Sequence, residues 1–267
     1  MVVKSEPPEG RFRLSGGSNF VVSACPLGQR GFTASGYECG RAMPFSQGHF
    51  QYQPIVLTAL ERTISADRLS TYIAYAGFDK ERAIRLYVWN SYVSQCFHLP
   101  LQSVEVSTRN TVNEYLSFRF GTGWPQDARF LNLVPERRDR TQDAIRKVTK
   151  RVTTEGHPVT TGRVVAGLPF DFWVGLFTTK YDRPLWQTSL HNILPNLPKT
   201  AKRRDLYELL RSIKELRNRV AHYEPIFQRD LSKEHTNIIA AIRHRCTYTA
   251  DWVSAHSRLQ LALRSKP

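Results

Sequence analysis

Residues 199–227 read KTAKRRDLYELLRSIKELRNRVAHYEPIF. At helical spacing, Leu206, Leu209, Leu210, Ile213, Leu216 and Val220 fall on one stripe roughly 120° wide. The pattern predicts an amphipathic helix over 199–223, ended by Pro225. A stripe that wide must be covered by other helices, and no stretch of the chain shows the alternation of a half-buried strand. The expected fold class is therefore all-α, a helical bundle.

Working outward, 55–65 and 66–76 read as two short helices, the second led by Asp67 at its N-cap region and stopped by Gly77. Asp79 is expected to cap a long apolar-periodic stretch, DKERAIRLYVWNSYVSQCFHLPLQSVEVSTRNTVNEYLSFRFG, over 79–121. Pro100 must kink or split it. Residues 121–125 read as a loop, and 139–155 as a basic helix ended by Gly156-His157-Pro158. The apolar segment PFDFWVGLFT at 169–178 is too short to separate strand from helix, although its leading proline favours a helix. Residues 181–190 add one or two helical turns, and Pro195 and Pro198 mark a loop. Residues 230–262 give a last helix or helix pair.

Residues 1–49 differ from the rest. Eight of the fifteen glycines lie there and none of the five tryptophans. The segment is expected to be disordered or irregular, ahead of one helical domain over 50–263. Met43 is the only other methionine. A start at Met43, with residues 1–42 not native, is a further expectation, and a native N-terminal mass showing Met1 intact would refute it.

The formal charge is +15. Residues 1–42 hold five basic and three acidic side chains, so the remainder keeps +13. Such an excess favours a polyanionic partner, most simply nucleic acid. Four cysteines occur without CxxC or zinc spacing, so the chain reads as reduced and cytoplasmic. No apolar leader and no run of 18 apolar residues is present, so neither a signal peptide nor a membrane span is expected. No phosphate-loop, dinucleotide-binding or GxSxG pattern occurs, and no carboxylate cluster with recognisable spacing, so no cofactor and no metal are expected.

Chemistry concentrates in Arg217-Asn218-x-x-x-His222. The bare Arg-x(4–6)-His pattern is weak, because about 2.5 such pairs arise by composition alone, and three occur here. Context distinguishes this one. Of the three arginines in these pairs only Arg217 is followed by Asn, and only this pair ends a strongly amphipathic helix. Arg217 falls inside the apolar stripe, which is costly unless it is paired or opens onto a cleft. His222 lies in the last turn, where the helix dipole favours an imidazolium. A guanidinium beside an imidazolium suits a phosphate. Equally, Arg217 can be an ion pair with another helix, His222 a C-cap and Asn218 a core hydrogen-bonder. On a straight helix Arg217 and His222 point about 140° apart. They converge if Arg217 curls round the helix end, or more easily across two copies.

LRNRVAHYEPIF at 216–227 resembles the signature of Abi-like (abortive-infection) proteins of the AbiD/AbiF type, in the HEPN superfamily. Residues 86–121, with Arg109-Asn110 in a helix, resemble the family's N-terminal half. Residues 168–174, Tyr181 and Leu185-Trp186 resemble its middle, and Asp251-Trp252-Val253 its closing segment. The chain has His222-Tyr223 where the family often has His-His. The resemblance covers roughly 55–260 and implies an all-α HEPN-like bundle with additional N-terminal helices. It implies metal-independent RNA cleavage, commonly in a homodimer, as a phage-defence or toxin component. Carried over, His222 would be the general acid or base, Arg217 would hold the scissile phosphate, and Asn218 would orient one of them. Arg219 and Tyr223 would add RNA contacts. Arg109 and Asn110 would form a second cationic element, or only a helix-internal pair. RNA, a second copy, and an antitoxin or phage-derived activator are the implied partners. A non-catalytic RNA-binding or partner-binding module is the alternative.

Overall fold

Ser65, not Asp67, caps the second helix. It joins α1 (Pro54–Ile64) to α2 (Ala66–Tyr75), and its Oγ accepts the Arg68 N–H at 3.3 Å. A serine oxygen at this position answers one of the unpaired N–H groups of the first turn. Asp67 sits one residue inside that turn, where its charge still suits the positive helix end. The computed structural model describes residues 50–133 and 140–267. The expectations for 1–49 and for a start at Met43 lie outside the described residues.

Gly77 has φ 67° and Phe78 φ 68°, so the chain leaves α2 through the left-handed region. Asp79 then caps α3 (Lys80–Cys96), accepting from the Arg82 N–H at 3.0 Å. α4 (His98–Phe120) follows after the single residue Phe97. The break in the long apolar stretch therefore lies ahead of Pro100, not at it. Pro100 has no N–H to offer the carbonyl of Cys96 and its ring would crowd it, so the helix ends there and restarts. In the restarted helix Pro100 lies in the first turn, where a missing N–H costs little.

A 3-10 turn at Trp124–Gln126 leads to α5 (Ala128–Leu131), then come α6 (Arg140–Thr154), α7 (Thr161–Gly167) and α8 (Phe170–Gly175). The apolar segment 169–178 thus forms a short buried helix opened by Pro169. Residues 179–186 run through a 3-10 turn into a π-helical turn, and α9 spans Leu190–Ile193. α10 (Arg203–Ala221) carries the stripe that decided the fold. Its expected start at 199 moves to 203, where the Lys202 N–H donates to Asp205 at 2.8 Å. The C-terminal stretch is three helices rather than one or two: α11 (Leu231–Arg245), α12 (Thr247–Ala255) and α13 (Leu259–Leu263). Cys246, extended at φ −148°, makes the first break.

The described residues are all-α, with no strand. α4 runs through the middle of the packing, against α3, α8, α11 and α12, and α10 lies on α8 and α11. Leu206, Leu210, Ile213 and Leu216 of α10 are buried, as the stripe requires. Trp89, Trp124, Trp173 and Trp186 are also buried. Phe177 stacks on Trp186 with centroids 4.7 Å apart. Trp186 Nε1 donates to the Leu176 carbonyl, Trp124 Nε1 to Asn113 and Trp89 Nε1 to the Ala262 carbonyl. Three of these rings thus bury their faces with the N–H paired, whereas Trp173 Nε1 is buried without a hydrogen-bond partner. No helix of the described residues is long and apolar enough to cross a membrane.

Candidate functional site

The C-terminal end of α10 is held from three sides. Tyr223 lies in the left-handed region at φ 57°. Its N–H donates to the Val220 carbonyl and the Glu224 N–H to the Arg219 carbonyl at 2.8 Å. This pair of bonds is a Schellman turn, which satisfies the last helical carbonyls. Arg68 of α2 then donates to the Tyr223 carbonyl at 2.6 Å. Beyond the turn, buried Asn90 of α3 accepts from the N–H groups of Ile226 at 2.8 Å and Phe227 at 3.1 Å. The chain therefore leaves α10 in one fixed direction.

This construction places Tyr223 at the edge of an open groove of about 760 Å³ between α3, α4 and the end of α10. Arg217 and Arg109 line the same groove. Arg217 Nε donates to Glu105 of α4 at 3.3 Å. The sequence left an ion pair and a cleft as alternatives for Arg217, and both are present. Both side chains are part-exposed. A pair so wetted contributes at most about 1 kcal/mol, so an arriving phosphate can take the guanidinium from it.

The remaining candidates separate. Asn218, Arg219 and His222 are exposed and do not line this groove. His222 donates its backbone N–H to the Asn218 carbonyl at 2.9 Å and closes the helix end. Arg219 pairs with Glu224 at 3.7 Å. Arg109 Nε donates to Asn110 at 3.4 Å. Yet Asn110 itself faces a second groove, between α4 and α12, with Arg245, Cys246 and exposed Trp252. Within one chain, Arg217, Arg109 and Tyr223 come together, and Asn110, Asn218, Arg219 and His222 do not join them.

His98 and Glu105 also line the first groove and did not stand out in the sequence. Their signal was legible. His98, Gln102, Glu105 and Arg109 are spaced i, i+4, i+7 and i+11, which puts them within about 60° on one face of α4. That polar stripe is masked because it runs beside the apolar face of the same helix. Among the described residues no group of three or more His, Cys, Asp or Glu side chains could hold a metal ion. Comparison of the chain with protein-family models, curated proteins and solved structures finds no match.

Proposed function

We propose that this chain binds RNA in the Arg217 groove and cleaves it without a metal, as the Abi-like and HEPN resemblance implies. The observation that supports the reading is the meeting of Arg217 and Arg109, from different helices, in one open groove. Two guanidiniums so placed can grip one phosphodiester. The chemistry would be attack of a ribose 2′-OH on the adjacent phosphate, which needs cationic stabilisation and proton transfer. His222 would transfer a proton. Because it lies outside its own chain's groove, it would reach the phosphate held by Arg217 of a second copy. The setting would be a phage-defence or toxin system, with an antitoxin or phage-derived activator as control.

The test incubates wild type, Arg217→Ala and His222→Ala with a structured RNA in EDTA, followed by end-group analysis. The expected result is cleavage by wild type with 2′,3′-cyclic phosphate ends, and a loss of about 10²-fold or more in each variant. Mixing the two variants should restore part of the activity, since a mixed pair keeps one intact composite site. The exposed position of His222 favours a second reading, a non-catalytic RNA-binding module. Salt-sensitive RNA binding by all three proteins with no cleavage would select it.

A further inference from the structure

Cleavage by a 2′-OH requires two proton transfers. A base takes the proton of the 2′-OH as the O2′–P bond forms. An acid gives a proton to O5′ as the P–O5′ bond breaks, leaving a 2′,3′-cyclic phosphate and a 5′-hydroxyl. The two groups must stand on opposite sides of the phosphorus. The Arg217-Asn218-His222 motif contains one group suited to this work, His222. A guanidinium stays protonated and an amide does not titrate in the useful range.

We infer that His98 is the second proton-transfer group of the groove, a role that rests on the ribonuclease reading above. His98 is exposed and opens α4, and it shares the groove wall with the two arginines that would hold the phosphate. Glu105 and Arg109 lie on its own helix face, and Arg217 and Tyr223 face it from the end of α10. The wall contributed by α3 is Ser91, Ser94 and Gln95, none of which titrates. His98 is therefore the one imidazole lining this groove. Glu105, the other titratable candidate, is engaged by Arg217 at 3.3 Å. In this arrangement α4 supplies one proton-transfer group and the end of α10, from a second copy, supplies the other. The phosphate lies between them on Arg217 and Arg109.

The experiment measures single-turnover cleavage from pH 5 to 9 in EDTA for wild type, His98→Ala, His98→Gln and His222→Ala, with RNA affinity measured alongside. Two imidazoles working as acid and base give a bell-shaped profile in the wild type. His98→Ala and His98→Gln should each lose about 10²-fold or more in rate, keep RNA affinity within threefold, and lose one limb of the bell. Added imidazole should restore part of the His98→Ala rate, because the groove is open. Because His98 is exposed in the first turn of α4, both variants should keep the wild-type melting temperature. Wild-type cleavage with either His98 variant within threefold of it overturns the inference and leaves the ribonuclease reading standing. A rate loss matched by an equal loss of affinity, with both limbs kept, also overturns it and makes His98 a binding contact. No cleavage by wild type overturns both.

Discussion

Asn90 shows how one buried side chain can set a distant surface. Its carboxamide oxygen accepts two backbone N–H groups, those of Ile226 and Phe227, in a region closed to water. Asn90→Ala would leave both donors unsatisfied. The expected loss is about 2–3 kcal/mol, read as a lower urea midpoint with an unchanged slope. Asn90→Ala as stable as wild type would show that those N–H groups find another partner. Tyr223 makes the opposite trade. It occupies a left-handed position that suits glycine, yet 77% of its surface is exposed, so packing does not repay the strain. Tyr223→Gly should stabilise the fold by about 0.5–1 kcal/mol. If the ring stacks on RNA at the groove mouth, the same change should weaken RNA binding about tenfold. Tyr223→Ala separates the effects, because it keeps the strained backbone and loses only the ring. Unchanged affinity in both variants would remove Tyr223 from the interface.

At the scale of elements, helices announced themselves where one face is apolar and the other wet. α10 is legible for this reason, and so is its burial through Leu206, Leu210, Ile213 and Leu216. α8 was ambiguous because its apolar residues Phe170, Phe172, Trp173 and Val174 are all buried, and a segment this short with only Pro169 and Asp171 exposed carries no period to read. The split expected from Pro100 falls just ahead of it, at Phe97, because a proline's effect is felt one turn upstream. The site was legible only in part. Arg217 was singled out by its place in an apolar stripe, whereas the polar stripe of α4 that carries His98 gained a meaning only once α3, α4 and α10 met at a groove. The crossing of α6 and α7 was not legible at all, since it depends on close approach. A methyl group on Gly167 would lie 2.7 Å from Val148 Cγ1 and 2.6 Å from Arg151 Nη2. The arginine tip can swing away, but the valine is buried on α6. Gly167→Ala should therefore cost about 1–3 kcal/mol. A melting temperature equal to wild type would mean that the two helices separate freely.

At the scale of the whole molecule, acid should act on the fold through two histidines of α11 as well as through net charge. Burial pushes both His235 and His244 below the ordinary imidazole value of 6.5, and for His244 the bonded Asn196 backbone opposes the shift in part. His235 Nε2 is buried without a hydrogen-bond partner, which fits a neutral ring. The unfolded chain therefore binds more protons than the folded chain as the pH falls below 6.5. Stability is fully present above that pH and is lost as the pH falls through the lower folded-state values. The formal charge of +15 adds self-repulsion, which grows as further groups protonate. Comparing urea midpoints at pH 7.5 and 5.5 tests the histidine contribution, because ordinary carboxylates stay ionised across that window. The wild type should lose stability between the two. His235→Leu combined with His244→Gln should lose distinctly less, since the two groups that resist protonation are gone while the rest of the charge remains. A double variant with the same drop as wild type would assign the acid sensitivity to general repulsion. The remedy would then lie in lowering the net charge, not in the packing of α11.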